Sequence, residues 1–460
     1  MSSDPLANPR LAALLREAGW PPEALARRIT LTGRDRPVHP KTPYKWIARG
    51  NVPHGDVPDL VVQVLSRALG RELTHEDVWG VTPRRPPRAV GADDRMDLPW
   101  DRTGLLSLLG EPVPTRRTVL ALAGTALTRH GWMALASPGF ELVSAAAEDG
   151  PVTPALLTMI DGVVRQAQLL DDEQGGAARG FVGDQFAAVA RLLRRASYDQ
   201  AAGRRLTTAL AQLAQTAGFM AFDAHDDGRA QRWYLVGARA AHAAADPALV
   251  ASVLALMSNQ AADRGKATDA VNLAAAAQEA AADTHAVVRS LVAARSGLAY
   301  AAAGDLTGFL RVRDTALGLL DGQGDRPRPP WAWYVDRVEL DAITGRGLVV
   351  LAEHLPTRRK KLLRDACHLL HARAHTPPDG KAQRSALRHG AWLSLARIAD
   401  HDLDGAVAAG RLAYHRLCGV DSARSRALLH DLGARLAPVA GRSASARSLL
   451  HDLEHLPRRS

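Results

Sequence analysis

Cysteine is nearly missing from this chain. Cys367 and Cys418 are the only two in 460 residues, which excludes a disulfide framework and suits a reducing compartment. Aromatic residues make up only 5% while alanine is abundant. Alanine costs least in a helix, so close-packed helices are expected and a β-sandwich is not. Long apolar runs are also lacking. The best candidate begins at Thr118, Val119 and Leu120 and is soon interrupted by Arg129 and His130, so no membrane span is expected. The polar, proline-bearing opening from Met1 to Arg10 does not look like a secretory signal. Thr115-Arg116-Arg117 ahead of that apolar run resembles a twin-arginine export signal. It lies far inside the chain, and residues 116–135 read better as a buried helix. A phosphate-cradling loop is absent, because Asp171 to Gly180 lacks both the lysine and the preceding strand. Spacing gives no Ser/His/Asp set and no paired carboxylates. The chain is therefore expected to be cytoplasmic, to be no enzyme and to carry no cofactor.

What is present suits a folded protein of two or three domains, with 47% hydrophobic and 23% charged residues. Lys+Arg total 58 against Asp+Glu 48, a formal net charge of +10. That balance is compatible with nucleic acid without requiring it. From Asp246 to Leu320 the sequence repeats one plan: an Asp-led apolar helix pattern, a turn, and a second helix pattern. The candidate turn glycines Gly228, Gly265 and Gly304 recur at intervals of roughly 37–39 residues, the range of helix-pair repeats. Small residues fall at matching offsets before the turns (Ala221, Ser258, Gly297) and after them (Ala240, Ala277, Ala316). Such a hairpin cannot bury its own apolar face and must stack on neighbours. The expected fold class is all-α, with residues 115–460 forming an α-solenoid of about five divergent hairpins. The unit near Gly345 fits this plan poorly.

The first 80 residues read as a separate helical domain. Leu11, Leu14 and Leu15 mark one helix, and Gly19 stops it. Pro21-Pro22-Glu23 opens another that carries Ala24, Leu25 and Ile29. A segment from His39 to Gly50 includes Trp46, and a further helix spans Asp59 to Ala68. Pro43 leaves two starts open for the third helix. Either Thr42 is its N-cap and Pro43 its first residue, or it begins at Pro40 with a distorted turn. A short helix with one buried aromatic can lie in a major groove with its polar side toward base edges and phosphates. The exposed candidates are Lys41, Thr42, Tyr44, Lys45 and Arg49, with Arg27 and Arg28 on the preceding helix as phosphate contacts. Residues 81–114 read as a Pro/Arg-rich tether that includes Arg84, Arg85 and Arg88. Helical patterns follow over residues 101–109 and 116–135, where they are expected to cap the first repeat. Three more are expected at 151–170, 181–198 and 202–224, the first pair parted by Asp171 to Gly176.

The concave face of a solenoid is lined by the first helix of each hairpin. Projecting the register puts Gln215, Phe222, Asn259 and Glu339 there as ligand candidates. The amide of Asn259, both donor and acceptor, suits a peptide backbone. The Trp331-Ala332-Trp333-Tyr334 cluster reads as a packing plug. Cys367, His368, His371 and His375 have one-turn spacings that suit a metal. They also read as a basic helix end before Pro377 and Pro378, and no metal is expected.

The order "Glu-Ala-Leu-Ala", then a short helix ending in Trp46 and Gly50, resembles the phage-repressor type of helix-turn-helix domain over about 80 residues. The segment between the second and third helices is longer than that family's tight turn. Gly297, Tyr300, Gly304-Asp305 and Ala316 resemble the tetratricopeptide pattern. The architecture as a whole is similar to actinobacterial regulators of development and antibiotic production. That resemblance implies a transcriptional regulator that binds double-stranded DNA, forms a homodimer through its repeats, and takes a peptide, small molecule or partner protein on the concave face. The alternative is a helical-repeat scaffold that never touches DNA.

Overall fold

The computed structural model describes residues 8–30, 38–53, 57–69, 71, 73–80, 98–110, 121–146, 148–322 and 327–456. They fall into two units, Met1–Asp97 and Leu98–Ser460. The chain is all-α as expected, apart from one two-residue antiparallel pairing of Ser144–Ala145 with Ser197–Tyr198. The tether residues Arg84, Arg85 and Arg88, and the Thr115-Arg116-Arg117 motif, lie outside the described residues.

The smaller unit contains α1 (Pro9–Glu17), α2 (Pro22–Thr30), α3 (Thr42–Arg49), α4 (Val57–Leu69) and α5 (His75–Trp79). Their apolar faces meet in one core that includes Leu11, Leu15, Leu25, Ile29, Val61 and Leu65. Trp46 from α3 and Trp79 from α5 meet edge to face there, ring centres 5.8 Å apart. Asn8 ties the ends of the unit together. Its carbonyl oxygen caps α1 by accepting from the Leu11 amide, and its side-chain amide donates to the Val78 carbonyl at 3.1 Å. α3 adopts neither of the two anticipated starts. Thr42 is its first residue and Lys41 its N-cap, so Pro43 sits in the first turn, where a missing N–H breaks no helical bond.

The larger unit is built from six consecutive hairpins. They are α10/α11 (Gln200–Asp223, Asp227–Ala243), α12/α13 (Pro247–Asp263, Ala267–Ala281) and α14/α15 (Ala286–Ala302, Leu306–Asp321). α16/α17 (Arg337–His354, Arg359–Ala374), α18/α19 (Gln383–Ala399, Leu403–Arg416) and α20/α21 (Ala423–Leu436, Ala444–Glu454) follow. Ahead of them come α6 (Arg102–Gly110), α7 (Thr125–Ala136), α8 (Pro154–Gln174) and α9 (Arg179–Arg195). Each first helix packs on the first helix of the next hairpin, from α10 through to α20. Three of the six turns share one device. A residue with positive φ (His225, Gly304 or His401) precedes an Asp N-cap (Asp226, Asp305 or Asp402) whose carboxylate accepts from the amide three residues on.

Several boundaries differ from expectation. Gly228 is not a turn residue: it lies in the first turn of α11, and His225 makes the left-handed step. Gly345 lies in the middle of α16, where an added Cβ would come within 2.8 Å of Leu370. It marks a helix–helix contact, and the poor fit of that unit came from reading it as a turn. α8 runs unbroken through Asp171 to Gln174. α7 starts at Thr125, not Arg116. Residues 121–123 are not helical, and the Leu122 amide donates to the Gln231 side chain while the Gln231 amide donates back to the Leu122 carbonyl. Rather than capping the stack, α7 lies against α11 and α13. α6, assigned above to the tether, packs on α9 and α11, and Arg239 clamps the chain before it by donating to the carbonyls of Leu98 and Pro99.

The stack also meets itself. α8 packs against α18 and α10 against α20. The Gly176 amide donates to the Asp421 carbonyl at 2.9 Å, and the Asp421 amide donates to the Gln174 carbonyl at 2.9 Å. Gly175 between them has φ +66°, and a Cβ there would stand 2.5 Å from the Asp421 carbonyl oxygen. Only glycine meets both demands. Gly175→Ala should therefore destabilise the unit by about 1–3 kcal/mol in chemical denaturation. Gly183→Ala, inside α9 with nothing within 4 Å of the added carbon, should instead stabilise it by up to about 1 kcal/mol. Equal effects of the two would refute the role given to the 174–176 and 421 contact.

Candidate ligand cavity and basic face

The first helices are unusually rich in buried arginine on their inner side. Arg346 of α16, Arg388 of α18 and Arg424 of α20 all converge on one carboxylate, that of Asp263 at the end of α12. The Arg388 contact is 3.2 Å. The side chains of Arg346 and Arg424 are 8% and 4% exposed, and that of Asp263 is 19% exposed. Burial works against the Asp263 charge, yet Arg346, Arg424 and Arg388 together hold its carboxyl well below the usual carboxylate range. The same crowding acts on the cations. Burial, then the neighbouring Arg424 and Arg346, push Arg388 far below the ordinary arginine value.

Arg346, Arg388 and Arg424 line a cavity of about 440 Å³ between α8, α10, α12, α14, α16, α17, α18 and α20. Around it, Arg384 donates from Nε to the Asp171 carbonyl and from Nη2 to its carboxylate, both at 2.9 Å. Arg373 reaches Glu339 at 3.2 Å. Arg295 donates to the Tyr334 hydroxyl at 2.9 Å. Burial drives the Asp171 carboxyl up to about 7, against the pull of Arg384 and with help from Asp223 and Asp172. Several polar atoms in the lining have no hydrogen-bond partner among the described residues, including Gln215 Oε1, Asp223 Oδ2, Arg346 Nε and Arg373 Nε.

Of the four residues projected onto the concave face, three line this cavity: Gln215, Asn259 and Glu339. Asn259 is 7% exposed, and its side-chain oxygen accepts from Arg346 at 3.4 Å. Phe222 does not reach the cavity. It is 2% exposed, with the Arg424 guanidinium over its ring at 3.5 Å. Trp331, Trp333 and Tyr334 all line the cavity, the first buried and the other two half-buried. The arginines were missed because arginine in a helix reads as solvated surface. A usable signal was present, since Arg295 and Arg346 each interrupt an otherwise apolar or small-residue stretch. At the other anticipated site His371 and His375 stack with ring centres 4.0 Å apart. Among the described residues, no three groups converge as metal ligands would.

In the smaller unit α3 turns Pro43, Trp46 and Ile47 into the core, and it leaves Lys41, Tyr44, Lys45 and Arg49 exposed. Lys41, Lys45 and Arg49 follow one another at four-residue steps and so share a helix face. Thr42 is half-buried, and Arg27 and Arg28 are exposed on α2. Arg28 stacks over Trp20 at 4.0 Å. The Tyr44 hydroxyl donates to Glu23 at 2.5 Å, the main cause holding the Glu23 carboxyl below its ordinary value.

Fold and site together define a helical-hairpin body with an internal, arginine-lined cavity and a separate five-helix unit ahead of it. Residues 11–79, nearly all of the described part of that smaller unit, match the family model described as the SP15 N-terminal domain. No curated protein matches the chain. Among the described residues no helix is long and apolar enough to cross a membrane.

Two outcomes follow from the charges. Asp263→Asn leaves three guanidiniums facing one another without their carboxylate, and should cost about 3 kcal/mol or more in denaturation experiments. At Asp171 burial outweighs the ion pair with Arg384, so this carboxyl acts in the opposite sense to Asp263. Its folded value lies above its unfolded one, so the folded state holds a proton that the unfolded chain has released between about pH 4 and 7. Its contribution is present below that window and lost as pH rises through it. Asp171→Asn should flatten stability against pH there, and an unchanged slope would remove this assignment.

Proposed function

We propose that the protein is a DNA-binding transcriptional regulator whose helical-hairpin body receives a ligand. The observation that carries the reading is the face formed by Lys41, Lys45 and Arg49. It is a solvated cationic stripe on a two-turn helix whose opposite side is fixed in a core by Trp46 and Ile47. Such a helix can enter a major groove as a rigid element, with Arg27 and Arg28 available to phosphates from α2. The net charge of +10 supports association with a polyanion. The resemblance of the first 80 residues to repressor-type helix-turn-helix domains supports the class. The similarity to actinobacterial regulators of development and antibiotic production supports the wider role, with a cytoplasmic homodimer as the working form. The cavity is the ligand site in this reading: its buried polar groups without partners are better suited to a bound molecule than to packing.

The scaffold reading makes the opposite prediction on DNA. Full-length protein and a fragment of residues 1–97, which has its own hydrophobic core, should both retard duplex DNA, with affinity falling steeply as salt rises. Lys45→Ala combined with Arg49→Ala should weaken that binding by roughly tenfold or more, at about 1 kcal/mol or more per contact. Absence of any binding to genomic DNA fragments at low salt would give the scaffold reading the advantage.

A further inference from the structure

We infer that the cavity of the larger unit is a site for a small organic anion, a carboxylate or phosphate carrying an apolar or aromatic portion. This rests on the ligand-binding half of the reading above and not on its DNA-binding half.

The argument begins with charge. Three guanidiniums share the single carboxylate of Asp263, so that cluster carries an excess of positive charge in a largely buried place. Ion clusters that exist only to hold a fold gain nothing from such an excess, because every unmatched buried charge costs free energy. Burial first, and then Arg424 and Arg346, lower Arg388 against the opposing pull of Asp263 and Asp223. Arg295 adds a further cation, which donates to the neutral Tyr334 hydroxyl. Arg346 and Arg373, each 7% exposed, line the cavity, and the Nε of each is buried without a hydrogen-bond partner among the described residues. Guanidinium groups with free N–H edges bind carboxylate and phosphate in paired, directional hydrogen bonds.

Size and lining narrow the class. About 440 Å³ falls within the range of small-molecule sites, roughly 300–1,000 Å³. Leu256, Leu298, Ile343 and Trp333 give the cavity an apolar part that inorganic phosphate alone would leave unfilled. The contact of the last hairpins with α8 and α10 argues against a long peptide, which needs a groove open along its length.

The test uses the full-length protein in thermal denaturation, with AMP as the phosphate probe and indole-3-acetate as the carboxylate probe. Adenosine and indole serve as neutral counterparts, and sodium chloride matches the ionic strength. One or both anions at millimolar concentration should raise Tm by roughly 2–4 °C beyond salt, and the neutral counterparts should not. The arm that responds identifies the anion. Arg388→Gln should abolish the rise while leaving the ligand-free Tm equal to or above wild type, because it removes part of the excess charge. A structural Arg388 would behave otherwise, and a loss of ligand-free stability as large as that of Asp263→Asn would overturn the inference. So would no response to either anion, or a response only to an acidic peptide such as polyglutamate. DNA retardation by the same preparation is read separately, so failure of the anion site and failure of the DNA-binding reading cannot be confused.

Discussion

The larger unit depends on an unequal ionic contact, one aspartate held by three arginines. Asp263 lies at the end of the first helix of the second hairpin, and its partners come from the fourth, fifth and sixth. The contact thus spans most of the stack. Partners brought together from separate hairpins can be satisfied only when the hairpins take one curvature. An open solenoid stabilised solely by nearest-neighbour faces has no such requirement. The paired backbone hydrogen bonds between 174–176 and Asp421 act to the same end, joining the segment after α8 to the start of α20. Together they convert a one-dimensional stack into a body with an inside.

That inside explains why the fold could be read from sequence more easily than the site. The hairpins are written locally. Alanine-rich helical periodicity and the pairing of a left-handed residue with an Asp cap need only a short window to recognise. Where the reading failed, a residue type had been given its commonest role. Glycine suggested a turn at Gly228, but His225 makes that step. The unit near Gly345 fitted the plan poorly, and there Gly345 is a point where α17 approaches closely. The main-chain part of the closure left almost no trace, since it joins groups far apart in sequence; among the described residues its constraint shows at Gly175. Three of the four ligand candidates line the cavity because register and projection are geometric properties of a repeat. The arginines were harder to place for a different reason, although Arg295 and Arg346 stand out in apolar stretches. Their meaning lies in convergence, and no single helix shows it.

The smaller unit presents the reverse case, in which surface was legible and detail was not. Residues at four-residue steps share a helix face whatever the tertiary structure, so Lys41, Lys45 and Arg49 could be grouped from sequence. The start of α3 could not: capping preference favours Thr42 as N-cap, but the helix takes Lys41, which makes no side-chain cap. The stacking of Arg28 on Trp20 and the hydrogen bond from Tyr44 to Glu23 also lie beyond local reading. Each joins residues whose proximity follows from the packing of helices.

Arginine is costly to bury, and a chain built for rigidity alone would be better served by apolar side chains of similar volume. What a charged interior provides is sensitivity. In a cluster with unequal numbers of cations and anions, the free energy changes steeply when one further charge is added or removed, and the change falls on every group in contact with it. Here those groups sit on α12, α16, α18 and α20. A bound anion would therefore alter the mutual repulsion of three guanidiniums and with it the preferred separation of the hairpins that carry them. A ligand shifts a conformational equilibrium only by its difference in affinity between the states. A cavity whose own cations repel one another supplies such a difference without any large movement of the ligand itself.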